Sequence, residues 1–377
     1  MEKTPYRYGP PVSKPYFCDR ETELVELVTK MNQGINLFVL SPRRYGKSSL
    51  IRRASEQVIA SGGLVASTNL IGCTNEADVA SAIASAVVSS VMNRRQRAKH
   101  NLEDLLSRIR IAPQVTVHPD GRFELTFTPS VLGTQWARVL DDALDILDGA
   151  ASDKAVVLVI DEFQVVADIG PKGLGGTFKA LADRTTNASF IFAGSQLSVM
   201  EKLTSAKGAP LLGMGSRLVL DVIGEKPMCK FLIARADVFE RRLAMKTALE
   251  IYQAADCVPH YVQQLALEAF NLTTRGETIG VPEVHRAVEE IVGKEAGGFA
   301  ERFETLVPSQ RRFLKALAAT IDGRVYTKAF IALSGVSNTN SIKKTVDNLI
   351  TNELVAKRAG RLRLNSPFMA HWLRMLP

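Results

Sequence analysis

The residues best suited to chemistry are Ser41-Pro42-Arg43-Arg44-Tyr45-Gly46-Lys47-Ser48-Ser49. They match the phosphate-cradling pattern G-x-x-x-x-G-K-[ST] everywhere but its first position, where Ser41 replaces glycine. The pattern has a physical basis. Backbone N–H groups of the loop and of the helix that follows wrap the phosphates. Gly46 allows close backbone approach, Lys47 reaches the β and γ phosphates, and the Ser48 hydroxyl is a ligand for Mg²⁺. Ser41 serves the turn into the loop. The competing reading is an ordinary Gly-Lys-Ser surface turn.

A second group weighs against that reading. Asp161-Glu162-Phe163-Gln164 follows the apolar run AVVLVI, residues 155–160. A buried strand of a parallel sheet delivers its last side chains to the C-terminal edge, where such sheets keep their ligands. Asp161 would hold Mg²⁺, directly or through water, and Glu162 would polarise an attacking water as general base. The run SFIFAG, 189–194, ends in Ser195-Gln196. Ser195 would sense the γ-phosphate, hold the water, or cap a helix. Arg217, placed just before a last core strand, is a candidate to neutralise charge on the transferred phosphoryl, within the chain or across a subunit contact, with Arg184 as its competitor. Arg43 and Arg44 would touch phosphate or a carboxylate. The guanine-selecting N-K-x-D element is absent. The expected ligands are therefore ATP and Mg²⁺, and the expected activity is ATP hydrolysis.

Positioning these groups requires strands and helices in alternation. Apolar runs at 35–40, 64–70, 155–160, 189–194 and 218–223 predict buried strands of the parallel type. Helical patterns at 17–33 (with Asp19 as N-cap), from Lys47 past Arg53, at 77–110, 131–148 and through Leu181 predict the crossovers. The stretch 114–127 alternates around Pro119-Asp120-Gly121 and predicts a hairpin. The fold class is α/β, with a P-loop core around a mainly parallel sheet. The expected division is an arm at 1–16, a core at 17–224 with a hairpin insertion at about 113–128, a helical lid at 225–300 and a C-terminal domain at 301–377.

Composition adds limits. No apolar run is long enough to cross a membrane and the N-terminus lacks a signal-peptide core, so no membrane and a cytoplasmic location are expected. The four cysteines are scattered, with no metal or redox spacing, and are expected to be reduced and packed. The net charge of +8 arises from residue 301 onward, where 13 Lys and Arg face five Asp and Glu. That asymmetry points to a polyanion, duplex DNA first, or to a solvated basic surface.

Four stretches resemble the archaeal-type P-loop ATPases, a branch near the STAND and AAA+ families. They are Tyr16 to Leu24, similar to that family's lead-in motif with Asp19 in place of glycine; PRRYGKSSL; VVLVIDEFQ; and Ala255 to Tyr261, similar to its G-x-P-x-Y stretch with Cys257 in place of glycine. The resemblance implies that Arg20 and Pro259 flank the nucleotide base. It also implies a C-terminal winged helix, with a recognition helix over Ser337 to Val355 followed by a basic wing. Lys343, Lys344 and Asn348 then fall near one helix face, and Lys357, Arg358, Arg361 and Arg363 on the wing, as candidate nucleic-acid contacts. Asn340 and Asn348 are candidates for base edges. Three functions fit: an ATP-driven DNA-associated switch, a STAND-like signalling or defence switch with a protein partner, and a binder that keeps ATP as structural glue. Glu162 argues against the last. A phosphotransferase would carry an arginine-rich lid where this chain has a helix-rich domain. A homo-oligomer is required if Arg217 acts in trans.

Overall fold

The computed structural model describes residues 4–95, 108–109, 114–118, 123–126, 135–150, 154–170, 173–320, 323–336, 339–358 and 360–376. The chain forms two compact units, Pro11–Asp221, and Met1–Pro10 with Val222–Pro377.

In the first unit the elements run α1 (Glu21–Asn32), β1 (Leu37–Leu40), α2 (Lys47–Ala60), β2 (Leu64–Asn69), α3 (Glu76–Arg95), β3 (Gln114–Val117), β4 (Phe123–Thr126), α4 (Trp136–Gly149) and β5 (Val156–Asp161). A 3₁₀ turn (Phe163–Ala167), α5 (Gly175–Arg184), β6 (Ala188–Gly194), α6 (Leu197–Thr204) and β7 (Ser216–Val219) complete it. Five strands form a parallel sheet in the order β2-β5-β6-β1-β7. Strand side chains alternate between faces, so each strand feeds two cores. Phe38, Leu158, Ile160, Phe190 and Phe192 pack with α3, α4 and α5 on one face. Leu37, Val39, Val157, Val159 and Ile191 pack with α1 and α2 on the other. Burial on both faces is why these strands read as continuous apolar runs.

The sequence reading placed these strands in order, and the structure adjusts several details. β1 begins at Leu37, because Asn36 turns its side-chain oxygen to the Phe190 amide (2.8 Å) and its carbonyl to Ser216 (3.0 Å). The last strand is Ser216–Val219, not 218–223, so Arg217 lies inside it. Asp19 is no N-cap: Asp19 and Arg20 are both left-handed (φ 55° and 72°), and Arg20 holds the cap position without a side-chain capping bond. The hairpin pairs Gln114–Val117 with Phe123–Thr126, and its turn at Pro119-Asp120-Gly121 lies outside the described residues, as do 96–107 of the long helix and 131–134 of the next.

The second unit contains α7 (Glu225–Val238), β8 (Arg242–Leu243), α8 (Met245–Ala254), α9 (Pro259–Asn271), β9 (Thr278–Ile279), α10 (Val281–Glu304), α11 (Pro308–Ala319), α12 (Lys328–Ser334), α13 (Thr339–Thr351), β10 (Val355–Arg358), β11 (Arg361–Leu364) and α14 (Pro367–Met375). Prolines open α9, α11 and α14, where a missing N–H costs nothing. The Thr327 and Ser366 side chains cap α12 and α14. Residues of the N-terminal arm belong here. Tyr6 is buried and donates to the Leu232 carbonyl (2.8 Å), while Arg235 donates to the Pro5 carbonyl (2.9 Å). The parallel pair β8–β9 was not foreseen, since two residues carry no readable period. Helix α10 runs unbroken across the boundary expected at residue 300, and its Phe299 and Phe303 meet Trp372 (ring centroids 6.1 and 5.6 Å). Among the described residues no helix is long and apolar enough to cross a membrane.

Phe192 is central to the aromatic packing of the first unit. Its ring lies 4.5 Å from Phe163, 5.3 Å from Phe38 and 5.6 Å from Phe190. Phe192→Ala should therefore cost about 3–5 kcal/mol. Urea unfolding of the variant beside the parent chain measures this.

Candidate nucleotide site

Strand order brings three tips together. β1 feeds the loop 41–46, β5 delivers the acidic pair, and β6 lies between them with Ser195 just past its end. Lys47 opens α2 and is buried. Its ammonium bonds Asp161 Oδ1 and lies 3.5 Å from Glu162 Oε1. The Ser48 hydroxyl donates to Asp161 Oδ2 (2.8 Å). One cation thus sits against two carboxylates, and a hydroxyl shares the second oxygen of Asp161. Two hard oxygen ligands side by side, Ser48 Oγ and Asp161 Oδ2, form a donor set suited to Mg²⁺.

Glu162 is held from the other side. Its Oε2 accepts from the Ser195 hydroxyl (2.8 Å) and from Gln164 Nε2 (2.6 Å). Gln164 is buried, and its Oε1 accepts from the Ser195 amide (3.2 Å). The cap position of α6 is Gln196, whose side chain makes no capping bond, and the Ser195 hydroxyl serves Glu162 rather than the helix end. Sequence reasoning missed Gln164. Its signal was an amide two residues past the general-base candidate, alone in the apolar run Phe163–Ala167.

The other loop residues divide by role. Ser41 is fully buried, and its amide donates to the Gly194 carbonyl (3.3 Å). Gly46 has φ 91°, and an added Cβ would meet no protein atom within 4 Å, so backbone conformation sets its identity within the protein. Pro42 is half-buried, Tyr45 buried, and Arg43 and Arg44 exposed. The Ser49 hydroxyl turns away to accept from the Val12 amide (3.0 Å). Arg20 is buried: it pairs with Glu23 (2.7 Å) and donates to the carbonyls of Tyr45 (3.3 Å) and Asp221. Its guanidinium therefore ties the loop to the last residue of this unit.

Neither arginine candidate joins the cluster. Arg217 pairs in register with Phe38, two positions short of the end of β1, and donates to the Ser205 hydroxyl (2.6 Å). Arg184 pairs with Asp141 (3.0 Å) on α4. In the second unit, Pro259 is buried at the start of α9. Among the described residues eight non-glycine residues have positive φ, and six lie in the four motif stretches: Asp19, Arg20, Arg44, Glu162, Asp256 and Cys257. Backbone strain of this kind gathers at functional sites. Asp19 and Cys257 occupy positions where the resembling family has glycine, and their left-handed backbone accounts for that preference.

The basic candidates also separate. Lys343 and Lys344 are exposed on α13, which runs Thr339–Thr351, shorter than the predicted Ser337 to Val355, whose first two positions, 337 and 338, lie outside the described residues. Asn340 is exposed near the start of that helix. Asn348 accepts from Gln310 (3.0 Å) and Asn352 (2.8 Å), so its side chain links α11 to α13. On the hairpin β10–β11, Lys357 and Arg361 are exposed. Arg358 is 12% exposed and pairs with Asp256 (2.5 Å), a partner within the unit that the charge count could not reveal. Arg363 faces the same carboxylate.

Residues 297–375 match the family model described as "Probable winged helix domain". No curated protein matches the chain. Among solved structures, the Walker-type ATPase PABY2304 of Pyrococcus abyssi aligns over 98% of this chain and 100% of its own, with TM-score 0.69 and 17% identity. The fold is that of a Walker-type ATPase. The ORC2 protein of Aeropyrum pernix, in ADPNP–ADP complexes, aligns over 96% of this chain and 94% of its own (TM-score 0.53, 15% identity). The ORC1 protein of Aeropyrum pernix, in complex with DNA, aligns over 97% and 93% (TM-score 0.50, 16% identity). In this Walker-type fold the loop after β1 and the acids after β5 face each other because β6 alone separates their strands.

The ion pair at the centre of the site should be measurable. Removing one partner of a buried pair leaves the other uncompensated. Lys47→Met should destabilise the chain by about 3 kcal/mol. Lys47→Met and Asp161→Asn, alone and together, should show a coupling energy of about 1–3 kcal/mol in urea unfolding. Additive effects would remove the pair as a structural contributor.

Proposed function

We propose that the chain binds Mg²⁺-ATP at the loop 41–49 and hydrolyses it. The carrying observation is the convergence of Lys47, Ser48, Asp161, Glu162, Gln164 and Ser195 at three neighbouring strand tips. Ser48 and Asp161 would hold Mg²⁺, which when bound supplies charge neutralisation to the phosphate oxygens. Loop amides cradle the phosphates, and the ammonium of Lys47 exchanges its carboxylates for phosphate oxygens. That exchange frees Glu162 Oε1, while Ser195 and Gln164 keep Oε2 and fix the carboxylate's direction. Glu162 then accepts a proton from the water that attacks the γ-phosphorus. Ser195 and Gln164 are positioning residues in this scheme. Arg217 and Arg184 lie on other partners, so an arginine acting on the transferred group would come from another copy of the chain or after rearrangement.

The nucleotide state would reposition the basic winged helix, and duplex DNA is the favoured partner. The surplus of basic residues past residue 301, the exposed Lys343, Lys344, Lys357 and Arg361, and the ORC1 relative described in complex with DNA support it. A protein partner, as in a signalling switch, is the second reading. It is favoured by the exposed apolar side chains of Tyr326 and Leu333.

ATP turnover by the purified chain, with and without duplex DNA at low salt, tests the proposal. Turnover should vanish in Lys47→Ala. In Glu162→Gln, kcat should fall by about 10²–10⁴-fold while nucleotide binding persists. Gln164→Ala should lower kcat by roughly tenfold or more with KM for ATP nearly unchanged, since its amide positions the general base. Unchanged kcat in Glu162→Gln would sink the general-base assignment.

DNA binding has its own signature. Replacing Lys343 and Lys344 together by Ala should reduce the salt slope of log Kd by about 2 if both meet phosphates. Binding that ignores salt, or turnover that ignores DNA, would shift the partner to protein.

A further inference from the structure

Among the described residues, the first unit buries two cations, Lys47 and Arg20. Lys47 belongs to the nucleotide site itself. Arg20 stands outside it, and a buried guanidinium is costly unless its donors are paired. Its Nη1 donates to Glu23 Oε1 (2.7 Å). Its Nη2 carries two N–H groups and donates to two carbonyls, those of Tyr45 (3.3 Å) and Asp221. Glu23 alone balances the charge. The carbonyls are a further commitment, one to the phosphate loop and one to the residue where the chain leaves the unit.

The Tyr45 carbonyl shares its peptide with the Gly46 N–H. That peptide is trans, so the two groups point in opposite directions. A donor that fixes the carbonyl on one side therefore aims the N–H to the other. Among the described residues no protein acceptor takes the Gly46 N–H. It stands directly ahead of Lys47 at the start of α2, where N–H groups collect phosphate. A flipped peptide would present the carbonyl oxygen there and repel an anion. Gly46 does little to prevent a flip: it lies at φ 91°, and an added Cβ would meet no protein atom within 4 Å. The Arg20 bond to the preceding carbonyl supplies the restraint that glycine lacks. Arg20 is itself left-handed at φ 72°, so the fold keeps backbone strain at the residue whose side chain reaches the loop. The arm ahead of it fastens the same helix again. The Val12 N–H donates to Ser49 Oγ (3.0 Å), and Ser13 Oγ donates to Glu56 (2.6 Å). Residues 12–20 thus brace both the loop and α2.

We propose that Arg20 is a positioning residue for phosphate binding: it locks the Tyr45–Gly46 peptide with the Gly46 N–H turned to the phosphates. This role rests on the reading of loop 41–49 as the Mg²⁺-ATP site. It differs from the place beside the base that the resemblance implies, because both terminal nitrogens of Arg20 are committed to Glu23 and to main-chain carbonyls. The difference is measurable. A side chain at the base acts only on ligands that carry a base. A side chain that holds the loop acts on any polyphosphate.

The test is calorimetric titration of the full chain with the Mg²⁺ complexes of adenylyl imidodiphosphate, which is not hydrolysed, and of inorganic tripolyphosphate, which has no base. Arg20→Met should weaken both by about tenfold or more, and by the same factor, with circular dichroism unchanged. In protein labelled with ¹⁵N-glycine, the Gly46 amide resonance should move in Arg20→Met before any ligand is added, while that of Gly335 stays. Glu23→Gln keeps Arg20 and removes a partly exposed partner, and should weaken both ligands by roughly threefold. If Arg20→Met does not fold, Glu23→Gln decides alone, and parent affinity for both ligands overturns the role. Weakening confined to the nucleotide analogue would place Arg20 at the base and overturn it too. So would parent affinity for both ligands, or an unmoved Gly46 resonance, in folded Arg20→Met. Lys47→Ala separates the two readings. Binding that is absent from the parent chain, or indifferent to Lys47, overturns the nucleotide site and this role with it. Binding that needs Lys47 and ignores Arg20 overturns this role alone.

Discussion

The structure of the first unit turns on one electrostatic requirement: the buried charge of Lys47 needs a counter-charge, and two carboxylates on another strand provide it. The lysine comes from the helix after β1 and the acids from the end of β5. For them to meet, the two strands must end at one edge of the sheet with a single strand between them. The intervening strand β6 then has its own tip in the cluster, and Ser195 and Gln164 lock the second acid. Two continuous apolar faces keep the strands level. The same arrangement sets a condition on the proposed ligand: phosphates that take Lys47 leave two carboxylates behind. A divalent cation arriving with the nucleotide restores the balance, so the metal complex fits the site better than the free nucleotide.

The core and the chemistry of its loop were legible because they are local. Ser41 to Ser49 and Asp161 with Glu162 are contiguous in sequence, and each follows an apolar run that marks its strand. What was illegible depended on register and on distant partners. Arg217 looked free ahead of a strand, but pairing with Phe38 put it within one, against Ser205. Asp19 looked like a cap, but the turn needed two left-handed residues there. Gln164 was visible as an amide among apolar neighbours, but only the fold shows that it reaches Ser195, just past the end of another strand.

The basic C-terminal region shows the same limit from another side. A count of charges gives their sum, not the face on which they stand. Antiparallel pairing sets Arg358 opposite Arg361 and Arg363 opposite Ala356, so the three arginines share one side of the hairpin. Part of that side closes on Asp256, more than 100 residues earlier. A distance of that kind has no trace in local composition. The winged helix itself followed from the resemblance of the motif stretches to the archaeal-type P-loop ATPases, which needs no such contact.

The left-handed residues bear on how such a chain drifts. A non-glycine residue in that conformation costs of order 1–3 kcal/mol, which the surrounding packing must offset. Asp19 and Cys257 show that the turn persists after the glycine has gone. A motif spelled in residue types fades at such a site, whereas the dihedral angle that it encoded remains. In this chain the backbone at the motif turns keeps a conformation that the residue types there no longer spell.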